Sequence, residues 1–435
     1  MRNYIQANLL KPSNEKLGRF FDVHESTIRK RIKETPEVFD ENLRVYRMAK
    51  APFIKIEDYN IEKGTQYKEE DVENLCLPAV INKDNYFLIP TVMDDMRASL
   101  DELKKFNECC VISLSNFKGG VGKSSMAVNI STALAALGNV RVLIVDFDIQ
   151  GNTTSLFDLY RDKLQSVREK EKATRRIDIK LSYTTKLEEL YDFENSDYKY
   201  TIVDLLAASK DENIKEMVKD SIVNLNDKVN TIGKIDIIPN SSNIENALKF
   251  ENINIYLRGT ENKALDAVLS YVKDDYDFII IDTPPSISLP LRMSTMATDY
   301  FVLVLTPDKL SKDGIAPFLV PIELHKDEYR QEKGKDIVVL GGVLNKYQKV
   351  VKSQQINKDS IDRDLAVTTE YAGLGNARLF GQTIKHDNVL NEALNQTGSV
   401  LVYNPTHELV RDFFNLTTEI VDSITIDKMS KQRGK

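Results

Sequence analysis

The sequence predicts an α/β fold, a mostly parallel β-sheet flanked by helices and preceded by a small, mainly helical head. Three observations predict it. From about Phe106 onward, short β-branched apolar runs alternate with amphipathic helical patterns. One of these runs feeds a glycine-rich turn that opens directly into an Ala/Leu-rich helix. The first 50 residues differ in texture, being polar and basic with helical spacing.

The apolar runs are Val111–Leu114, Val140–Val145, Ile235–Ile238, Phe278–Ile281, Tyr300–Leu305, Ile337–Leu340 and Val400–Val402. Near-continuous apolar strands separated by helices mean a parallel sheet covered on both faces. A chain of 435 residues has room for more than one domain. The expected division is a head over residues 1–50, a connector or extension of the head over 51–105, a body over 106–425 and a tail over 426–435. Within the connector, Phe53-Ile54 and Tyr86-Phe87-Leu88-Ile89 are brief apolar runs between charged turns. Arg161–Arg176 is densely charged and reads as a solvated helix or loop, and Lys428–Lys435 reads as a frayed end.

Composition narrows the function classes. No run approaches the roughly 18 apolar residues of a membrane span, and no apolar leader with a small-residue cleavage site opens the chain. Cys76, Cys109 and Cys110 are too few for a disulfide framework, and the adjacent pair is not a metal-ligand spacing. They read as core thiols in a reducing, cytoplasmic compartment. The net charge is −7, yet residues 1–50 hold eleven Lys/Arg against seven Asp/Glu. A basic head on an acidic body confines any nucleic-acid contact of the head to a local surface.

The strand Val111–Leu114 runs into Ser115-Asn116-Phe117-Lys118-Gly119-Gly120-Val121-Gly122-Lys123-Ser124-Ser125, followed by a helix that is expected to stop at Gly138. Glycines let backbone N–H groups turn inward around phosphate oxygens, and the helix N-terminus adds its positive dipole end. Lys118 through Ser125 are therefore candidate nucleotide contacts. Lys123 would reach the β- and γ-phosphates and Ser124 would hold Mg²⁺. The ordinary phosphate-loop pattern requires Gly where Phe117 stands. The sequence fits instead the deviant form K-G-G-x-G-K-S, with an additional lysine at Lys118.

On these residues the chain resembles the ParA/MinD family of ATPases, and its fold class is that of a P-loop NTPase. The resemblance covers about residues 109–410. It implies ATP and Mg²⁺ as cofactors, and a homodimer in which Lys118 reaches the partner's nucleotide. Asp146-Phe147-Asp148-Ile149-Gln150-Gly151-Asn152 resembles the family's D-x-D-x-Q-G-N switch. That assigns Asp148 to orienting the attacking water, a positioning task, and Asp146 to the Mg²⁺ shell, although a lone strand-end aspartate can also be a simple cap. Phe278–Ile281 delivers Asp282 in Walker B geometry, in contact with Mg²⁺ through water. Asn345, in Gly342-Val343-Leu344-Asn345-Lys346, resembles the family residue that faces adenine, with plain turn chemistry as the alternative. Lys385 stands where relatives place a basic residue for non-specific DNA, and lysine neutralises a phosphate without arginine's bidentate fork.

Residues 14–32 have helix-turn-helix spacing. Leu17, Phe20, Phe21, Val23, Ile28 and Ile32 would form a small core, leaving Ser26, Thr27, Arg29, Lys30 and Arg31 on the exposed face of the second helix. Such residues suit phosphate and base-edge contacts; the alternative is a helical hairpin with a solvated basic face. The larger plasmid-type ParA proteins carry such a head for the operator of their own partition genes. The resemblance thus implies operator DNA, non-specific DNA and a ParB-type centromere-binding protein as partners, and a nucleoid-associated location. A MinD-like membrane-cycling ATPase would need a basic amphipathic last helix, but His407–Ile424 carries Glu408, Asp412, Glu419 and Asp422 against Arg411. A nucleotide-regulated transcriptional repressor is the other alternative.

Overall fold

The computed structural model describes residues 100–136, 140–157, 159, 198–229, 231, 233–286, 289–404 and 407–433, and the backbone of three short strands before them. Those strands, β1 (Ile54–Lys55), β2 (Ala79–Asn82) and β3 (Asn85–Leu88), form an antiparallel sheet in the order β1-β3-β2. Asn82 pairs with Asn85, the spacing of a two-residue hairpin. The helix-turn-helix reading of residues 14–32, with Ser26, Thr27, Arg29, Lys30 and Arg31, lies outside the described residues. So do the charged segment 161–176, Gly138 and Cys76.

The body is built on β4 (Cys110–Ser115), β5 (Arg141–Asp146), β6 (Val223–Asn224), β7 (Lys234–Ile238), β8 (Phe278–Asp282), β9 (Tyr300–Leu305), β10 (Val338–Leu344) and β11 (Arg378–Leu379). Their order is β11-β10-β9-β4-β8-β5-β7-β6. All neighbours run parallel except β6 and β7, which are antiparallel. The strands are apolar at nearly every position because both faces are covered. Ile112, Leu114, Val142 and Ile144 enter one apolar cluster, and Val111, Leu143 and Val145 enter another, the two-residue alternation of a pleated strand.

The helices that matter for the site are α1 (Lys123–Ala135), α2 (Asn152–Leu156), α3 (Ile202–Ala207), α4 (Ile244–Glu251), α5 (Leu289–Ala297), α6 (Lys309–Asp313), α7 (Ile315–Lys333), α8 (Lys352–Ala372), α9 (Asn388–Gln396), α10 (Val400–Tyr403) and α11 (Glu408–Arg433). Helix α1 packs in the first cluster together with α11, whose Leu409, Val410, Phe413, Phe414, Leu416, Ile420, Val421 and Ile424 are all buried there. Leu100 and Leu103 join the same cluster.

Six of the seven expected strands form. Val400–Val402 does not: it lies in helix α10. Ser399 caps that helix by accepting from Leu401 N, and Val400 N donates to the buried side chain of Asn129. Three apolar residues are too few to carry a period, so a buried helical turn and a buried strand look alike in sequence. At the other end, helix α11 runs on to Arg433 instead of fraying at Lys428. Lys428 is held by Glu108 at 2.7 Å. Cys110 is buried in β4, and burial pushes its thiol up to about 12, the character of an inert core thiol.

Candidate functional site

In a parallel sheet the carboxyl ends of the strands and the loops that follow them form the binding edge. The register brings three motifs to that edge. Leu114 of β4 and Asp146 of β5 both pair with Asp282 of β8, so the glycine-rich loop, the switch and the Walker B aspartate converge.

The loop's shape follows from its glycines. Gly120 and Gly122 have φ of +73° and +96°, a region that side chains with Cβ rarely enter. A Cβ on Gly122 would stand 2.4 Å from Asn345 Nδ2. Gly122 also precedes α1 without offering a capping side chain, so the first N–H groups of that helix are available to an anion. Lys123 opens α1 and is buried. Burial lowers its pKa, while attraction by Asp282 and Asp148 works in the opposite sense. Ser124 hydrogen-bonds Asp282, and the buried hydroxyl of Ser125 has no partner.

Asp146 and Asp282 are fully buried neighbours. Thr154 donates to Asp146 Oδ2 from its backbone N and its hydroxyl, each at 2.7 Å. Thr153 Oγ1 donates to Asp282 Oδ2 at 2.8 Å. The remaining oxygen of each carboxylate, Oδ1, is buried with no partner. Burial first, then repulsion from Asp282, raises the pKa of Asp146 well above the carboxylate range. Burial raises Asp282 as well, against the hydrogen bonds from Ser124 and Thr153 and the nearby charge of Lys123. Two orphaned carboxylate oxygens beside a serine hydroxyl fit a hard divalent cation. Mg²⁺ takes one or two carboxylates and completes its shell with water and phosphate, which matches Asp146 and Asp282 with Ser124 beside them.

Asp148 is buried at the head of the switch, and its Oδ1 accepts from Gln150 N at 3.0 Å. Lys118 lies on the other side of the loop. Its backbone N donates to Asn116 Oδ1 at 2.9 Å, and its Nζ donates to Asp308 Oδ2 at 2.8 Å and to Thr306 Oγ1 at 3.3 Å.

Asn345 sits at the rim of the loop, but its amide is committed to the loop backbone. Nδ2 donates to Val121 O at 2.7 Å, and Oδ1 accepts from Lys346 N at 2.8 Å. Lys346 Nζ donates to Gly120 O at 2.8 Å. Lys385 is apart from this group. It pairs with Glu408, and with Asp387 at 3.3 Å, the residue that caps α9. Burial opposes its charge, yet the hydrogen bonds to Glu408 and Asp387 prevail and raise its pKa.

Sequence reasoning missed several residues of the site. Asn116 ties the loop to β9 by donating to Val304 O at 2.6 Å. Thr153, Thr154, Asn240, Thr306, Asp308 and Lys346 touch the candidate residues directly. Thr153 and Thr154 follow the Q-G-N of the switch immediately, and hydroxyls placed just past two strand-end carboxylates were the available signal. Nothing comparable marks Asn240.

Comparison with known proteins agrees with this geometry. The AAA domain family (AAA_31) matches residues 109–333, just over half of the chain. An uncharacterized protein of Methanocaldococcus jannaschii is 31% identical over 245 residues, covering 56% of this chain and 76% of that protein. The virulence plasmid ParA family protein of Chlamydia psittaci is 25% identical over 317 residues, covering 73% and 96%. The sporulation initiation inhibitor protein Soj of Bacillus subtilis is 26% identical over 234 residues, covering 54% and 71%. With the lysine-flanked glycine loop, the switch and the Walker B aspartate converging at one sheet edge, the chain belongs to this AAA-domain family and is a ParA-type P-loop ATPase.

Proposed function

We propose that this ATPase is a DNA-partition switch that uses ATP and Mg²⁺, works as a nucleotide-sandwich homodimer, and engages DNA and a ParB-type partner. The observation that carries the reading is the pair of lysines on one loop. Lys123 is buried beside Asp148 and Asp282, placed for the phosphates of its own chain. Lys118 instead engages Asp308 and Thr306, with 29% of its side chain accessible, and a second subunit docked on this edge would give it a phosphate to reach.

In the proposed reaction, the N–H groups of Gly120 to Ser124 cradle the β- and γ-phosphates, and Lys123 offsets their charge. Asp146, Asp282 and Ser124 would hold Mg²⁺, and the ion would supply positive charge to offset that on the phosphates. Asp148 orients the attacking water. Asn345 supports the loop backbone, and an adenine contact would add to that role.

DNA enters the proposal at two places. Arg29, Lys30 and Arg31, with Ser26 and Thr27, are proposed for operator DNA. Lys385 is proposed for non-specific DNA and must exchange Glu408 and Asp387 for a phosphate. A membrane-cycling role is less well supported, because the apolar face of α11 is spent in the core. No helix among the described residues is long and apolar enough to cross a membrane. The repressor reading shares every residue named. An ATPase assay with and without non-specific DNA and the product of the adjacent partition gene separates them. Stimulation by both is the expected result; a rate indifferent to both contradicts the partition reading.

A further inference from the structure

We propose that Asn240 is a positioning residue of the ATPase site, one that fixes Asp148 and, through Thr154, Asp146. The proposal deepens the reading above and rests on Asp148 acting on the attacking water. Asn240 follows β7 and is completely buried. Its Nδ2 donates to the backbone carbonyl of Asp148 at 2.9 Å. Its backbone N donates to Thr154 Oγ1 at 2.8 Å, the hydroxyl that itself donates to Asp146 Oδ2 at 2.7 Å. One residue just past a neighbouring strand therefore holds the switch at Asp148 and the short helix after it at Thr154.

Asn240 is itself held on every side. Its Oδ1 accepts from Ser241 N at 2.9 Å and from Asn246 Nδ2 at 2.7 Å. Asn246 Oδ1 accepts from Thr201 Oγ1 at 2.9 Å, and Thr201 forms the capping box of α3 with Asp204. Asn240, Ser241, Asn246 and Thr201 are all buried. The switch turn lies flat on this support: a Cβ on Gly151 would come within 3.3 Å of Asn240 O and Ser241 Cα. A buried polar network with every member satisfied is rigid, and removing one donor leaves the others short of partners. Phosphoryl transfer depends on placement to well under an ångström, so such a support belongs to the chemistry as well as to the fold.

The test compares Asn240→Asp with the wild type. The substitution keeps the acceptor for Ser241 and Asn246 but cannot donate to the Asp148 carbonyl. The expected result is a kcat for ATP hydrolysis lower by about tenfold or more. KM and the equilibrium affinity for a fluorescent ATP analogue should stay near wild-type values at a temperature well below the transition, while Tm falls because the new carboxylate is buried against the Asp148 carbonyl. An unchanged kcat, or a kcat loss matched by an equal loss of analogue affinity, overturns the proposal. Should the variant fail to fold, Thr154→Val and Thr154→Ser serve instead. Valine should raise the Mg²⁺ concentration for half-maximal analogue binding, and serine should restore it; identical Mg²⁺ curves for the two overturn the proposal. Asp148→Ala run in parallel keeps the two readings distinct. A normal rate there with a slow Asn240→Asp refutes the role of Asp148 and, with it, the action of Asn240 through Asp148, because the substitution leaves the backbone bond to Thr154 intact. A slow Asp148→Ala with a normal Asn240→Asp overturns Asn240 alone.

Discussion

Lys118 Nζ lies 2.8 Å from the carboxylate of Asp308 on its own chain. The pair is partly exposed, with side chains 29% and 41% accessible, so it is worth at most about 1 kcal/mol. That is enough to compete with a reach across a subunit interface. Asp308→Asn keeps the cap that Oδ1 provides to Ser311 N while removing the charge. ATP-dependent self-association of this variant is expected at a protein concentration lower by up to about fivefold. Sedimentation across a dilution series reads it, and a midpoint shifted the other way counts against a restraining role for Asp308.

Binding and chemistry should separate at Lys123 and Asp148. Lys123→Ala removes the buried cation proposed to face the phosphates and is expected to lose productive ATP binding. Asp148→Ala is expected to bind ATP and remain in the ATP-bound form, with hydrolysis reduced by about two orders of magnitude or more. Analogue titration and single-turnover hydrolysis distinguish them. Equal loss of affinity in both would mean that Asp148 holds nucleotide and does not place water.

The buried carboxylate pair gives a pH signature. Burial raises the pKa of Asp146 and Asp282 in the folded protein, so ionising them works against folding. That penalty is absent below the unfolded carboxylate pKa of about 4, grows as pH rises through the gap to the folded pKa, and is complete above it. Asp282→Asn is therefore expected to raise the Tm of the metal-free protein by a few degrees near neutral pH, with the gain shrinking toward about pH 4. The same variant should lose Mg²⁺-dependent hydrolysis. A Tm below wild type near neutral pH would contradict the electrostatic account of the site.

The two proposed DNA contacts should respond independently. Arg29→Ala is expected to weaken operator binding by about 1–3 kcal/mol if the side chain reads a base, with ATP-dependent binding to random DNA nearly intact. Lys385→Ala should do the reverse, and the binding it supports should fall steeply with salt. Because Glu408 occupies Lys385, Glu408→Gln should strengthen random-DNA binding. Gel-shift titrations on operator and scrambled duplex, with ATP and with ADP, read all three. Equal loss of both activities in Arg29→Ala would make the head the sole DNA site and favour the repressor reading.

Much of this architecture was legible in sequence, for a physical reason. Strands buried on both faces must be apolar throughout, so β4, β5, β7, β8, β9 and the first part of β10 announce themselves. The phosphate loop does so too, because its glycines answer a backbone requirement that no other residue meets. Val400–Val402 misled because its conformation is set by Ser399 and by Asn129 of a distant helix. The supports of the site were invisible for the same reason. Asn240 and Thr154 are 86 positions apart, and Lys118 and Asp308 are 190 apart. Ordinary polar residues gain their roles only when the sheet order brings them together.

The central claim is that Lys118 acts between subunits, and sedimentation velocity with a slowly hydrolysed ATP analogue and Mg²⁺ tests it most directly. The wild type is expected to shift to a dimer, or to tighten an existing one, while Lys118→Ala binds the analogue and stays as it is without nucleotide. An analogue-dependent shift of equal size in both proteins, or in neither, would contradict the account.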